Sequence, residues 1–254
     1  MTDGAVVQQS FASFDGQRIV WRELGRGRPV VLLHGLFSHA DMNWLRFGEA
    51  AAVAAAGFRV ILPDLRGHGG SAAPHDPGAY PPDVLSLDIE ALIVHLGLTD
   101  FDLGGYSLGA RTTVRLLARG MRPRRAVLAG MGLEGIVGSG ERAAWFLNVI
   151  ENRDSFARGT PGWMAAQFMK TNNIDGEAVT HVLRAQLPTP LAIIDTLVTP
   201  TLVVCGADDH DNGSASRLAA ALPVARYVEV PGNHMSAVTM PELGKAIATF
   251  LSED

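Results

Sequence analysis

The chain has 254 residues, 47% hydrophobic and 19% charged, a globular composition with enough length to bury a core without covalent staples. Twenty-one Lys and Arg against 26 Asp and Glu leave a net charge of −5, which argues against general nucleic-acid binding, where basic residues must displace counterions. The single cysteine, Cys205, excludes an internal disulfide and any multi-cysteine zinc site.

In chain order, Val6–Ala12 and Gln17–Glu23 flank the turn pair Asp15-Gly16 and predict an antiparallel hairpin. Pro29–Leu33 is continuously apolar, as expected of a central strand covered on both faces. A helix is expected over Asp41–Ala56, stopped by Gly57, and a strand over Phe58–Leu62, ended by Pro63. Asp83 is placed to cap a helix whose Leu85, Ile89, Leu92 and Leu96 share one face, with Gly97 as its stop. Further strands are expected at Phe101–Tyr106, Arg125–Ala129, Thr201–Cys205 and Arg226–Val230, and helices at Leu108–Arg119, Ser214–Leu222 and Pro241–Leu251. Strand and helix in alternation predict an α/β fold, a mostly parallel sheet with helices on both faces, made mixed by the first two strands. Between Leu133 and Val198 no strand is expected, only helical pieces at Glu141–Ile150, Gly162–Lys170 and Gly176–Leu187. This segment, 133–198, is expected as a helical insertion in a core made of 1–132 and 199–254.

Gly105-Tyr106-Ser107-Leu108-Gly109 matches G-x-S-x-G. The pattern alone arises by chance in roughly one chain in seven of this composition. Its position decides the matter: it follows a strand and opens a helix, so the serine stands alone on a tight turn that needs glycine on both sides. The Leu108 amide begins the helix, unpaired and at the positive end of the dipole, and can receive the oxygen of a tetrahedral intermediate. A serine hydroxyl needs a base, and the base needs an orienting acid. His234, on the Val230-Pro231-Gly232-Asn233 turn after the last strand, is the candidate base, and Asp209, after Val203–Gly206, the candidate acid, with Asp208 and Asp211 as alternatives. Gly35 in His34-Gly35-Leu36-Phe37 permits close backbone approach, making the Leu36 amide the second oxyanion donor and that of Phe37 a weaker one. His34 is expected to hydrogen-bond within its loop.

Together these residues resemble the α/β-hydrolase superfamily: His34-Gly35, Asp64-Leu65-Arg66-Gly67-His68-Gly69, Gly105–Gly109, Asp209 and His234 follow successive strands, in the order Ser, Asp, His. The resemblance covers Ser13–Leu251 and implies an eight-stranded α/β-hydrolase fold with 133–198 as a cap roofing the site. With serine at the nucleophile position it does not favour haloalkane dehalogenases or epoxide hydrolases, which use aspartate there. It implies a serine hydrolase cleaving a small or medium, partly apolar ester through an acyl-enzyme. Rival readings are a carbon–carbon bond hydrolase or lyase on the same triad, and a low-turnover ligand-binding protein of the same fold.

Phe37 and the cap residues Trp145, Trp163 and Phe168, alongside Phe146, Met164 and Met169, are candidates for a partly apolar acyl or aryl pocket. Arg111, Arg115 and Arg119, spaced by four, predict a surface stripe paired with carboxylates. His210 between two aspartates cannot turn with both of them toward one ion, so no metal is expected, and no organic cofactor is needed. Cys205 is expected as a small buried strand residue. The only expected partner is a small-molecule acyl substrate, with no nucleic acid and no membrane. The oligomeric state is not specified by the sequence. Met1–Ser13 lacks the basic start and apolar run of an export signal, and nothing nears the ~18 apolar residues of a membrane span, so a cytoplasmic location is expected.

Overall fold

The computed structural model describes residues 5–138 and 140–253; the first four residues of the Met1–Ser13 stretch and Ser139 of the expected insertion lie outside the described residues. Strands β1 (Val7–Ala12), β2 (Arg18–Gly25) and β3 (Arg28–Leu33) come first. Helix α1 (Glu49–Ala55), β4 (Phe58–Pro63), α2 (Val84–His95), β5 (Asp102–Tyr106), α3 (Leu108–Ala118) and β6 (Ala126–Ala129) follow. Five helices then succeed one another without a strand: α4 (Leu133–Val137), α5 (Gly140–Glu151), α6 (Pro161–Thr171), α7 (Gly176–Arg184) and α8 (Leu191–Ile194). The chain closes with β7 (Thr201–Gly206), α9 (Ala215–Ala221), β8 (Ala225–Val230) and α10 (Pro241–Leu251).

The eight strands form one sheet in the order β1-β2-β4-β3-β5-β6-β7-β8. The pairs β1–β2 and β2–β4 are antiparallel and the other five parallel, so the expected mixed α/β sheet is present. Alternation along β3 shows why it reads as continuously apolar. Val30 and Leu32 pack with Ala50 and Val53 of α1 and Leu243 and Ile247 of α10, while Val31 and Leu33 face Ile89 and Leu92 of α2 and Leu116 of α3. Both faces are dry, as parallel strands require.

Two local expectations need correction. The helix predicted over Asp41–Ala56 is broken: a single wide turn, Asp41–Leu45, is separated from α1 by Gly48 at φ +97°, which restarts the helix in a new direction. Asp83 does not cap α2. It sits at φ +62° with no capping bond, and its carboxylate is taken by the Arg115 guanidinium. The C-terminal stop is as expected, with Gly97 at φ +61°.

Glu49, in the first turn of α1, is 2% exposed, and neither of its carboxylate oxygens has a partner among the described residues. Burial raises its pKa from 4.5 to about 7. The folded state therefore holds a proton that the unfolded chain releases, and this contribution to stability is lost as pH rises from 4.5 through 7. Glu49→Gln, which keeps the shape of the neutral acid, is expected to change stability little at pH 5 and to add about 3 kcal/mol at pH 8.5. Urea denaturation at the two pH values checks this, equal effects at both pH values being the contrary result.

Candidate active site

The turn from β5 into α3 presents Ser107 at φ +53°, ψ −111°. Two bare glycines allow the turn: a Cβ on Gly105 would strike the carbonyl carbon of Gly109, and one on Gly109 would strike the Leu33 carbonyl of β3. The Ser107 amide donates to Ala129 O at 2.8 Å, tying the turn to the end of β6. His234 follows β8, and Asp209 follows β7, all at the same edge of the parallel strands.

The three side chains meet. The Ser107 hydroxyl donates to His234 Nε2 at 3.0 Å, and His234 Nδ1–H donates to Asp209 Oδ2 at 2.8 Å. An ionised carboxylate only accepts, so the imidazole proton sits on Nδ1 and Nε2 is left as the acceptor facing the serine. Burial alone would raise the Asp209 pKa, but the His234 bond and charge, with the Asp211 amide, bring it below the ordinary carboxylate value. Of the two alternative acids, Asp208 is exposed, while Asp211 pairs with Arg142 at 2.8 Å and reaches Asp209 only through its backbone amide.

Several contacts that sequence reasoning missed hold this arrangement. The Tyr106 hydroxyl donates to the His234 carbonyl at 2.8 Å, fixing the histidine loop from the serine's own strand. Asn43 Oδ1 accepts the Gly35 amide at 2.8 Å and pins the loop after β3. The only signal for Tyr106 was its place inside the G-x-S-x-G motif, and nothing marked Asn43. Gly35 lies so close that a Cβ there would touch the Ser107 Cβ at 3.5 Å, which brings the His34–Phe37 loop beside the hydroxyl. Among the described residues the amides of Leu36 and Leu108 have no hydrogen-bond partner. His34 does stay within its surroundings: Nδ1–H donates to Gly35 O at 2.8 Å, Nε2 accepts the Leu65 amide at 2.9 Å, and burial lowers its pKa to about 4.

A cavity of about 650 Å³ opens onto Ser107, walled by Leu36 and Leu108, by Trp145 and Phe146 of α5, and by Arg111 of α3. Of the four residues expected to touch a substrate, only Trp145 lines it. Phe37 is buried behind Phe146, with ring centroids 5.4 Å apart, and Phe168 packs into the same helical cluster as Phe37. Trp163 lies on α6 under the Arg158 guanidinium, outside the lining. None of these three reaches the cavity: Phe37, in the turn after β3, and Phe168, on α6, pack into one apolar cluster, and Trp163 stands half-exposed on α6. The arginine stripe also divides. Arg115 and Arg119 pair with Asp83 and Glu90 as expected, whereas Arg111 is 8% exposed and bonds only to backbone carbonyls. Cys205 is buried in β7 as expected, its thiol raised to about 12 by burial first and then by the Asp209 charge.

The family model described as "Alpha/beta hydrolase family" matches residues 30–243. Among curated proteins, the non-heme chloroperoxidase of Synechocystis sp. is 34% identical over 125 residues, covering 48% of this chain and 42% of the relative. The chain thus aligns with less than half the length of that relative. Among solved structures, an esterase from Rhodococcus sp. is 25% identical with a TM-score of 0.75, covering 97% of this chain and 98% of that one. An esterase from Exiguobacterium antarcticum, 20% identical, has a TM-score of 0.80 over 96% of this chain and 99% of its own, a likeness of fold.

The serine turn depends on backbone contact that no side chain can share. Gly109→Ala is expected to cost about 1–3 kcal/mol through overpacking against β3. Gly140→Ala, with nothing within 4 Å of the added methyl, serves as the control and is expected to melt like the parent in a thermal unfolding scan.

Proposed function

The chain belongs to the alpha/beta hydrolase family, and from that premise we propose that it is a serine esterase acting on small or medium, partly apolar esters through an acyl-enzyme. The observation that carries this reading is the continuous Ser107–His234–Asp209 hydrogen-bond chain at 3.0 and 2.8 Å. Ser107 Oγ attacks the ester carbonyl carbon while His234 Nε2 takes its proton, and Asp209 holds the imidazole and stabilises its charge. The carbonyl oxygen becomes an oxyanion that accepts from the Leu36 and Leu108 amides, the latter at the positive end of α3. Collapse of the intermediate breaks the bond to the leaving oxygen, which takes the proton from His234 Nε2 and departs as the alcohol. A water then gives its proton to His234 and attacks the acyl carbon, releasing the acid as the proton returns to Ser107. The scheme needs no metal or cofactor.

In this proposal residues 133–198 form the cap and 1–132 with 199–254 the catalytic core. Trp145 and Phe146 from the cap, with Leu36 and Leu108 from the core, supply the apolar wall that receives the acyl or aryl group. Burying one such group in this wall contributes about 25 cal/mol per Å² of apolar surface removed from water.

Labelling of intact protein with a fluorophosphonate, read by mass spectrometry, tests the nucleophile. One adduct on Ser107, lost in Ser107→Ala, is expected; an equal adduct in Ser107→Ala would overturn the assignment. Asp209→Asn is expected to lower kcat on a p-nitrophenyl ester by about 10⁴, because the amide leaves the imidazole in the wrong tautomer. Asp208→Asn is expected to leave kcat within about twofold of the parent, since exposed polar substitutions away from a site change little.

A further inference from the structure

The wide turn Asp41–Leu45 puts two neighbouring residues to different uses, and single widened turns of this kind are frequent at functional sites. Trp44 is wholly buried in the core, in the same apolar cluster as Ala40 and Ala50. Asn43, 4% exposed, reaches instead to the loop after β3. As a packing residue it is unfavourable: its Nδ2 is buried with no partner among the described residues, a defect that an apolar side chain avoids. What Asn43 supplies is Oδ1, which accepts the Gly35 amide at 2.8 Å. Gly35 offers a donor there, so the oxygen and not the nitrogen of the side-chain amide must face it.

Gly35 begins the turn that carries the Leu36 amide. A Cβ on it would lie 3.5 Å from both Asn43 Oδ1 and the Ser107 Cβ, so the three residues stand side by side. The Ser38 amide donates to Gly35 O at 3.3 Å and closes the turn, with Phe37 inside it at φ +59°. A residue with a side chain holds that conformation only where its neighbours enforce it. The peptide joining Gly35 to Leu36 is planar, so its carbonyl and its N–H point in opposite directions. His34 Nδ1–H donates to that carbonyl at 2.8 Å and thereby turns the Leu36 N–H the other way, where no described group accepts it. Glycine leaves the backbone on either side of this peptide free to swing. Asn43 removes that freedom by holding the Gly35 N–H, as His34 and Ser38 hold its C=O.

We infer that Asn43 is a positioning residue of the reaction: by holding the Gly35 amide it fixes the turn that aims the Leu36 N–H at the oxyanion formed over Ser107. The inference rests on the serine esterase reading, with Leu36 as an oxyanion donor, and adds to it a residue outside the triad and the cavity wall.

The test compares the full-length protein with Asn43→Leu, which keeps the branching of the side chain and removes the acceptor. Turnover of phenyl acetate is measured, together with the inhibition constants of phenylboronic acid and phenol. With phenylboronic acid, Ser107 Oγ bonds to boron and the serine proton passes to His234 Nε2, leaving a tetrahedral anion with an oxygen where the ester's oxyanion forms. Phenol binds without forming one. Loss of a whole oxyanion donor lowers kcat by about 10²–10³, so in Asn43→Leu kcat is expected to fall about tenfold or more, with KM within about twofold of the parent. The phenylboronic acid constant is expected to rise about tenfold or more and that of phenol less than about twofold, and neither depends on the amount of folded enzyme. An unchanged kcat, an unchanged phenylboronic acid constant, or a rise shared by phenol overturns the inference. If Asn43→Leu does not fold, Asn43→Ala is read by the same constants, and failure of both to fold overturns the inference in favour of a purely structural Asn43. If the parent turns over no phenyl acetate but Ser107 is still labelled by a fluorophosphonate, the esterase reading falls and the two inhibition constants decide the inference. No turnover, no label and no binding of phenylboronic acid removes both.

Discussion

At Ser107 the backbone passes from β5 into α3 with φ +53° and ψ −111°, a conformation that costs a non-glycine residue about 1–3 kcal/mol and persists only where its surroundings enforce it. The enforcement comes from both sides of the turn. The Ser107 amide is bonded to β6, and α3 approaches β3 so closely that Gly109 lies against the Leu33 carbonyl. β3 is continuously apolar after Pro29 because both its faces must be covered for this contact to hold, so the core and the serine's geometry are one requirement. Parallel order then brings the ends of β7 and β8 to the same edge, and their loops deliver Asp209 and His234 from more than a hundred residues away in sequence.

Electrostatics reinforces this edge. Asp64, at the end of β4, is buried yet held below the ordinary carboxylate pKa: burial pushes it up, and His34, the Gly70 and Ala40 amides and Arg22 outweigh that push. It thereby ties β2, the segment after β3 and the loop after β4 into one block. Arg66 does the same on the other face, joining the hairpin turn at Asp15 to α2 at Asp88. The Asp-Leu-Arg-Gly-His-Gly run after β4 is thus a structural brace for the site and carries no bond to the serine.

What could be read in the sequence is what short-range pattern encodes. The strands show as apolar runs, the serine turn as paired glycines, and the base and acid as polar residues placed directly after strands. The misreadings arise where a residue's role depends on what tertiary structure sets opposite it. Gly48 falls in an alanine-rich stretch of strong helix propensity, and only the path of α1 onto the sheet makes it a break. Asp83 looks like a helix cap until Arg115, a full helix away, competes for its carboxylate. Spacing by four puts Arg111, Arg115 and Arg119 on one face, but that face passes from solvent to interior because α4 and the residues after it close over Arg111 alone. Phe37, Trp163 and Phe168 are as apolar as Trp145 and Phe146; which of them reach the cavity is decided by helix rotation, to which composition is blind.

Cys205 is the only thiol in the chain, it lies in β7 between β6 and β8, and its pKa is raised to about 12. A thiol is modified as its thiolate, so in the folded protein this sulfur is chemically silent at neutral pH. Any reaction with a thiol reagent must then wait for β7 to part from its neighbours, an opening that also carries Asp209 away from His234. The chain therefore contains its own clock for the sub-global unfolding of the acid strand, readable without any substrate.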